Sequence, residues 1–256
     1  MSKKILYSTL VLCLVLVFYC QTTSPNTLVS SSVVIEFPQK DSLESFKDLD
    51  FTGNNQYQNS IVKVIVPMGN DLLCETGFFI SNYNIITTAH GLQIKDGTYD
   101  CNPMIQFYYQ ETDGTTIPSK MYKCQIHTIN LEKDIAIGTV NDNWVLSVAK
   151  PLVLSEKTPT RNDCIDCYGY PNNNIDLIKI SGNLINHDNI SVRDNFNNNL
   201  FVTDSLKCNL PIDHGNSGSP LINNEGSVVG IVFAGNLKNH TAYAIKTSDI
   251  LFVLKR

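Results

Sequence analysis

Short apolar runs separated by turn residues fill the chain from Ile61 to Lys246. Their residues are mainly β-branched or aromatic, a composition typical of strands. The runs are IVKVIV, TGFFI, YNIITTA, MIQFYY, DIAIGTV, LIKISGNLI, LFVTD, SVVGIVFA and TAYAIK. Many short strands at this spacing, without the long helical periods of a parallel α/β sheet, predict an all-β sandwich or barrel.

One segment has a helical pattern, and it lies at the end of the sequence. In SDILFVLKR the apolar residues Ile250, Leu251 and Leu254 recur at helical spacing, and Ser248 is a suitable N-cap. The pattern predicts a C-terminal helix over residues 248–256 that packs against the β body.

The amino-terminal region predicts export from the cell. Two lysines precede the fifteen-residue apolar run ILYSTLVLCLVLVFY, whereas a membrane-spanning helix needs about 20 residues. We therefore predict a signal peptide over residues 1–20 and a secreted or extracytoplasmic protein. Because Phe18 and Tyr19 are large for a cleavage site, an uncleaved anchor or a lipid on Cys20 stays open as an alternative.

The next segment, residues 21–55, is rich in serine, threonine and acidic residues, so it predicts a spacer or propeptide ahead of a folded unit over residues 56–256. With 256 residues, of which 43% are hydrophobic, the chain can bury one large domain or two small barrels. The net charge of −5 and the lack of basic runs argue against nucleic acid as a partner.

Eight cysteines are present, and six of them follow the predicted signal peptide. These six are Cys74, Cys101, Cys124, Cys164, Cys167 and Cys208. An exported protein meets oxidising conditions, so the even number predicts up to three disulfides, whose pairing the sequence does not decide. The CIDC stretch could alternatively form a redox or zinc pair, but no second CxxC or nearby HxxxH completes a metal site. We expect no metal or organic cofactor.

The candidate chemistry centres on PIDHGNSGSPLI, where Ser217 stands between Gly215 and Gly218. Glycines allow backbone shapes that bring bare N–H groups close to whatever lies over the serine. His90 ends the apolar run YNIITTAH, and Asp134 precedes the apolar run IAIGTV. A serine with a histidine base and a carboxylate that orients it can carry out acyl transfer. Each residue taken alone also has an ordinary structural interpretation.

Three blocks, TTAH, DIAIG and GNSGSP, occur in the order of the catalytic blocks of the trypsin-like (chymotrypsin-fold) serine peptidases, which the chain resembles over about residues 56–247. Within that superfamily it looks most similar to the HtrA-type and glutamyl endopeptidase-like branches, which share its GYP stretch. The resemblance implies two antiparallel six-stranded β-barrels, at about 56–148 and 149–247, followed by the helix. No PDZ-sized segment follows Arg256, so we expect a protease domain alone.

The resemblance also implies the roles of the site residues. Ser217 matches the nucleophile, His90 the general base and Asp134 the residue that orients the base. The backbone N–H groups of Gly215 and Ser217 match the oxyanion hole. His214, three residues before Ser217, remains a competing candidate for the base.

For the pocket that binds the residue before the cleaved bond, the resemblance implies an apolar set. Its members are Leu210, Pro211, Ile212, Val232, Phe233, Ala234 and Gly235, and His214 maps to the rim of the pocket. Asp213 maps beside this pocket and not at its floor, and Val232 stands where glutamyl enzymes carry a histidine. We therefore predict a small or medium apolar residue before the cut.

These observations predict a secreted serine endopeptidase that acts on proteins or peptides. Two alternatives stay open: a catalytically inactive homologue that serves as a binding module, and an acyl or ester hydrolase on the same fold.

Overall fold

The computed structural model describes residues 55–94, 97–110, 113–193 and 199–255. Within these residues the chain forms fifteen strands and two α-helices, with short 3-10 turns between them. The strands lie in a seven-stranded sheet, a closed six-stranded barrel and a two-stranded hairpin. This all-β architecture with a C-terminal helix confirms the predicted fold class. The predicted signal peptide, and the predicted spacer up to residue 54, lie outside the described residues.

The first half of the described chain forms the seven-stranded sheet and the hairpin. Their strands are β1 (Ile61–Met68), β2 (Asp71–Phe79), β3 (Asn84–Thr88), β4 (Met104–Gln106), β5 (Tyr108–Gln110), β6 (Thr116–Pro118), β7 (Tyr122–Lys123), β8 (Gln125–Asn130) and β9 (Ile135–Thr139). The order in the sheet is β7-β4-β1-β2-β3-β9-β8, and β5 pairs with β6. Sequence patterns miss β6, β7 and β8, which are short or carry polar residues between their apolar ones.

The two end strands of this sheet, β7 and β8, are separated along the chain only by Cys124. The Cys124 N–H donates to the Pro103 carbonyl at 2.9 Å, and the Ile126 N–H donates to the Cys101 carbonyl at 2.9 Å. The sheet therefore curves until its two ends meet in one bent segment of chain. The prediction for this half of the chain is a closed six-stranded barrel, whereas the structure has an open seven-stranded sheet. The difference arises because the bend at Cys124 divides the strand that would close the barrel into β7 and β8.

The second half forms the closed barrel, in the order β10-β11-β12-β15-β14-β13. Its strands are β10 (Cys164–Gly169), β11 (Ile178–Arg193), β12 (Asn199–Asn209), β13 (Pro220–Asn223), β14 (Val228–Asn236) and β15 (Thr241–Lys246). One buried apolar cluster joins the two halves, with Phe78 of β2 and Ile86 of β3 packed among Tyr170 and Ile245. The loops that leave the two sheets along this junction are therefore brought together.

Both helices differ from the sequence prediction. The C-terminal helix α2 spans Thr247–Leu254, so it begins one residue earlier than predicted, and Lys246 rather than Ser248 occupies the N-cap without a side-chain bond. Helix α1 (Asn143–Val148) is not predicted at all. Its signal is the Asp142 carboxylate, which accepts hydrogen bonds from the backbone N–H groups of Trp144 at 2.9 Å and Val145 at 3.3 Å.

The predicted disulfides are wrong for the structure, because all six cysteines of the described residues are free. Cys124, Cys167 and Cys208 are buried, and burial raises the pKa of each thiol to about 12. They act as small apolar side chains; a Cβ added at Gly138 would lie 2.5 Å from the Cys124 sulfur.

Among the described residues, no helix is long and apolar enough to cross a membrane, and no three metal-ligating side chains cluster.

Candidate active site

His90 stands at the end of a buried strand. Strand β3 ends at Thr88, and a 3-10 turn begins at His90, so the imidazole leaves the sheet at its edge. Four of the five β3 residues are buried, and the pairing of β3 with β9 fixes the strand in place. The His90 side chain is 20% exposed, so part of the ring remains accessible to solvent.

Asp134 lies beside His90 because β3 and β9 are antiparallel neighbours, with Thr88 opposite Ile135. The Asp134 carboxylate is 1% exposed and receives two hydrogen bonds from His90. The backbone N–H donates to Oδ1 at 2.8 Å, and ring Nδ1 lies 2.7 Å from Oδ2. Asp134 has a φ of +52°, a left-handed conformation that aspartate tolerates better than most residues.

The imidazole also contacts Ser217. Ring Nε2 of His90 lies 3.1 Å from Ser217 Oγ. A carboxylate can only accept, so Nδ1 carries the hydrogen that faces Asp134 and Nε2 presents its lone pair to the serine hydroxyl. The structure thus brings together the three residues that the sequence singled out, in an arrangement that can take a proton from Ser217.

The loop that carries Ser217 depends on its two glycines. Gly215 and Gly218 have φ values of +87° and +82°, where residues with a side chain are strained. A Cβ at Gly215 would lie 2.3 Å from the Tyr170 carbonyl oxygen, and one at Gly218 would lie 1.9 Å from the Thr76 carbonyl oxygen. Both positions therefore require glycine for their conformation and for the space around them.

Two backbone N–H groups remain available beside Ser217. Neither the Gly215 nor the Ser217 N–H donates to any residue that the structure describes. The carbonyl groups of the same two peptides accept hydrogen bonds. The His214 carbonyl accepts from the Asn172 N–H at 2.6 Å, and the Asn216 carbonyl accepts from the Ser219 N–H at 2.9 Å. In a trans peptide the N–H points opposite to the carbonyl of the same peptide group. The Gly215 N–H is therefore directed away from Asn172, and the Ser217 N–H is directed away from Ser219.

Thr76 of β2 fixes this loop to the first sheet, a role that the sequence patterns miss. Its backbone N–H donates to the Ser217 carbonyl at 2.9 Å. Its hydroxyl donates to the Gly215 carbonyl at 2.7 Å and accepts from the Tyr170 N–H at 3.0 Å. A single fully buried threonine therefore sets the position of the loop from both sides of Asn216.

Glu75, the neighbour of Thr76, is a second carboxyl close to the site and is also missed by the sequence patterns. It is buried, and burial raises its pKa to about 8, against a smaller lowering by His90 and by the hydroxyls of Thr88 and Thr87. Its only sequence signal is an acidic residue in the middle of strand β2.

The residues predicted for the specificity pocket lie on two adjoining segments. The buried members are Leu210, Ile212, Val232 and Phe233; Pro211, Ala234 and Gly235 are half-buried, and His214 is exposed. Val232 pairs with the nucleophile loop, since its carbonyl accepts from the Gly218 N–H at 2.8 Å. Ile212 packs directly over Gly235, where an added Cβ would lie 2.2 Å from Ile212 Cγ1.

Comparisons with known proteins identify the family of the chain. The family model described as a trypsin-like peptidase domain matches residues 75–231. None of the curated proteins matches the chain.

Several solved structures share the fold. The active form of the Rv3671c protease from M. tuberculosis is similar, with a TM-score of 0.65 and 19% identity over 92% of this chain and 93% of that chain. An inactive form of the Rv3671c protease is similar with a TM-score of 0.60 and 20% identity, over 86% of this chain and 98% of that chain. The serine endoprotease from Yersinia pestis is similar with a TM-score of 0.57 and 17% identity, over 81% of this chain and 67% of that chain.

Proposed function

The chain belongs to the trypsin-like peptidase family and is a serine endopeptidase, and we propose that Ser217, His90 and Asp134 carry out its peptide-bond hydrolysis. The observation that carries this proposal is the pair of contacts made by the His90 ring, 2.7 Å to Asp134 and 3.1 Å to Ser217. Ser217 attacks the carbonyl carbon while Nε2 of His90 takes its proton. Asp134 holds the tautomer and stabilises the imidazolium that forms.

The intermediate then collapses to an acyl-enzyme. The carbonyl oxygen becomes an anion in the tetrahedral intermediate, and the N–H groups of Gly215 and Ser217 stabilise it, each donor contributing about 3 kcal/mol. His90 returns its proton to the leaving amine, so the carbon–nitrogen bond breaks and a neutral product departs. A water molecule, activated by the same histidine, hydrolyses the acyl-enzyme and restores Ser217.

We also propose a preference for a small or medium apolar residue before the cut. Support comes from Ile212, which is 3% exposed and packs over Gly235 beside the nucleophile loop. Its side chain fills space that a larger substrate side chain would need, and the buried neighbours Leu210 and Val232 offer no charge. An apolar, shallow site disfavours charged side chains because it leaves them without a partner.

The proposal includes export, which rests on the sequence of residues 1–20, and it keeps a lipid on Cys20 as the alternative route to the same side of the membrane. A protein of this kind meets its protein or peptide substrates outside the cytoplasm. Identification of the mature amino terminus, together with a test for acylation, distinguishes cleavage from lipid anchoring.

Two assays on the purified protein test the proposed function. Cleavage-site profiling of a peptide library is run with the wild type, Ser217→Ala and the exposed-serine control Ser248→Ala, alongside labelling by an organophosphonate. We expect cleavage and labelling in the wild type and the control, and neither in Ser217→Ala. Turnover of short-chain esters without cleavage of peptides would identify an acyl hydrolase instead. A wild type that neither labels nor cleaves would identify a non-catalytic binding module.

A further inference from the structure

We propose that Glu75 is a positioning residue of this active site: as a neutral carboxylic acid, it connects the strand end that carries His90 to the loop that carries Ser217. The inference rests on the proposed function and deepens it. Glu75 is neither a nucleophile nor a proton carrier in the reaction, since no contact joins it to Ser217 directly among the described residues. It acts through three threonines and a glycine.

One carboxyl oxygen of Glu75 supports the His90 side. The Thr88 hydroxyl donates to Oε2 at 2.8 Å. The same oxygen lies against Gly91, where an added Cβ would be only 1.6 Å away. Thr88 and Gly91 are on either side of the Ala89–His90 segment, so the carboxyl fixes both ends of the turn from which the imidazole projects.

The other carboxyl oxygen leads to the Ser217 side. Oε1 lies 2.9 Å from the Thr87 hydroxyl, and that hydroxyl lies 2.7 Å from the Thr76 carbonyl oxygen. Thr76 in turn donates its N–H to the Ser217 carbonyl at 2.9 Å. A continuous chain of hydrogen bonds therefore runs from the carboxyl through two fully buried threonines to the nucleophile loop.

The hydrogen bonds around Thr87 favour a neutral Glu75. The Thr87 hydroxyl has one hydrogen but two oxygens at hydrogen-bond distance, and the Thr76 carbonyl can only accept. Both contacts can be hydrogen bonds at the same time only if Thr87 donates to the Thr76 carbonyl and the Glu75 carboxyl supplies the second hydrogen. Full burial favours the same neutral state, in agreement with the raised pKa of about 8.

Ionisation of Glu75 would disturb both connections. Among the described residues, three titratable groups interact electrostatically with Glu75: His90 and Asp134 across the site, and Cys74 on its own strand. A carboxylate would take the Thr87 hydrogen away from the Thr76 carbonyl and leave that buried carbonyl without a donor. It would also place a second negative charge near Asp134 and add a negative charge to the surroundings of the His90 ring. Activity should therefore fall as the pH rises through the pKa of Glu75.

The experiment compares kcat/KM between pH 6 and pH 10, as roughly the range that brackets this pKa, for the wild type, Glu75→Gln, Glu75→Ala and a control. Glutamine preserves the neutral pattern, because its amide nitrogen donates to Thr87 while its oxygen accepts from Thr88. We expect the alkaline decline of the wild type to vanish, or to move upward by at least about one pH unit, in Glu75→Gln. Glu75→Ala should lose about tenfold or more in kcat near pH 7, and glutamine should restore most of it.

The control is Glu225→Gln, which changes an exposed carboxyl paired with Lys157 and should keep the wild-type profile. Identical alkaline limbs in the wild type and Glu75→Gln would overturn the proposal, as would wild-type kcat in a folded Glu75→Ala. If Glu75→Ala does not fold, the comparison of wild type with Glu75→Gln still decides. Organophosphonate labelling of Ser217 near pH 7 keeps the questions separate: a labelled wild type without the expected shift refutes the role of Glu75 alone.

Discussion

At the scale of single residues, the site is governed by contacts that leave no spare volume. Gly91 has ordinary backbone angles, yet the Glu75 carboxyl occupies the place where its side chain would be. Ile212 similarly occupies the space above Gly235. In both pairs a glycine and a larger side chain have complementary shapes, so a change in one member has its effect through the other.

Gly91→Ala should lower both stability and activity. The new Cβ would overlap Glu75 Oε2, so the carboxyl must move and the bond from Thr88 is lost. Overpacking of this kind costs about 2 kcal/mol, and displacement of His90 should reduce kcat by about tenfold or more. Thermal unfolding and steady-state kinetics measure the two effects. The double variant Glu75→Ala/Gly91→Ala should be less impaired than the sum of the single changes; strict additivity would contradict the contact.

Ile212→Ala should broaden the preference for the residue before the cut. Removal of the side chain opens space beside Gly235, so larger apolar residues should gain about tenfold or more in kcat/KM relative to alanine. Peptide-library profiling measures the change. Val229→Ala is the matched control, since it shortens a buried residue of the same barrel core and should cost stability without altering the preference. A similar shift in the control would show that loosened packing, not the pocket, is responsible.

At the scale of elements, register and capping position the site. The pairing of β3 with β9 places His90 beside Asp134 although 44 residues separate them. Helix α1 is only six residues long, too short for its apolar pattern to be recognised, and it depends on Asp142 at its N-cap. The Trp144 ring stacks on the Tyr122 ring with 5.2 Å between the centroids, and it meets the Phe107 ring edge to face with 5.5 Å between the centroids. The helix therefore covers the aromatic edge of the first sheet.

Asp142→Ala should destabilise the protein by about 1 kcal/mol, because two N–H groups at the start of α1 lose their acceptor. For a chain of this size that loss lowers Tm by about 2–4 °C. Asp142→Asn keeps an acceptor oxygen and should retain most of the stability. Differential scanning calorimetry on the three proteins makes the comparison; equal Tm values for alanine and wild type would show that the cap contributes nothing.

At the scale of the whole molecule, the buried Glu75 makes stability depend on pH. The pKa of this carboxyl is about 8 in the folded protein and 4.5 as the ordinary value, so the folded state holds the proton more tightly. Its favourable contribution is complete below pH 4.5, falls by about 1.4 kcal/mol per pH unit above that, and is lost once the pH passes about 8.

Glu75→Gln removes this dependence, since an amide does not ionise. The Tm of the variant relative to wild type should rise between pH 5 and pH 8, as roughly the window between the two pKa values, and then stay constant. Thermal unfolding across this range measures the difference. Parallel curves for the two proteins would mean that Glu75 is already ionised in the folded state at low pH.

The sequence predicts most of the longer strands and the group of His90, Asp134 and Ser217 because both depend on local signals: runs of β-branched and aromatic residues, glycines beside a serine, and a carboxylate before an apolar strand. Glu75 and Thr76 are missed because their importance lies in contacts with Gly91 and Ser217, which no local pattern encodes. The disulfides are predicted wrongly for a related reason. An even count of cysteines sets how many bonds could form, but only the barrel geometry decides which sulfur atoms meet.

His90 and Asp134 come from the first sheet, whereas Ser217 comes from a loop of the second barrel and reaches them through Thr76. During synthesis the first half is made well before the serine appears, and the proposed catalytic group is complete only when both halves have formed and met. If these three residues carry out the hydrolysis as proposed, a newly made chain cannot cleave other polypeptides until both halves have folded, and the onset of proteolysis reports that final step.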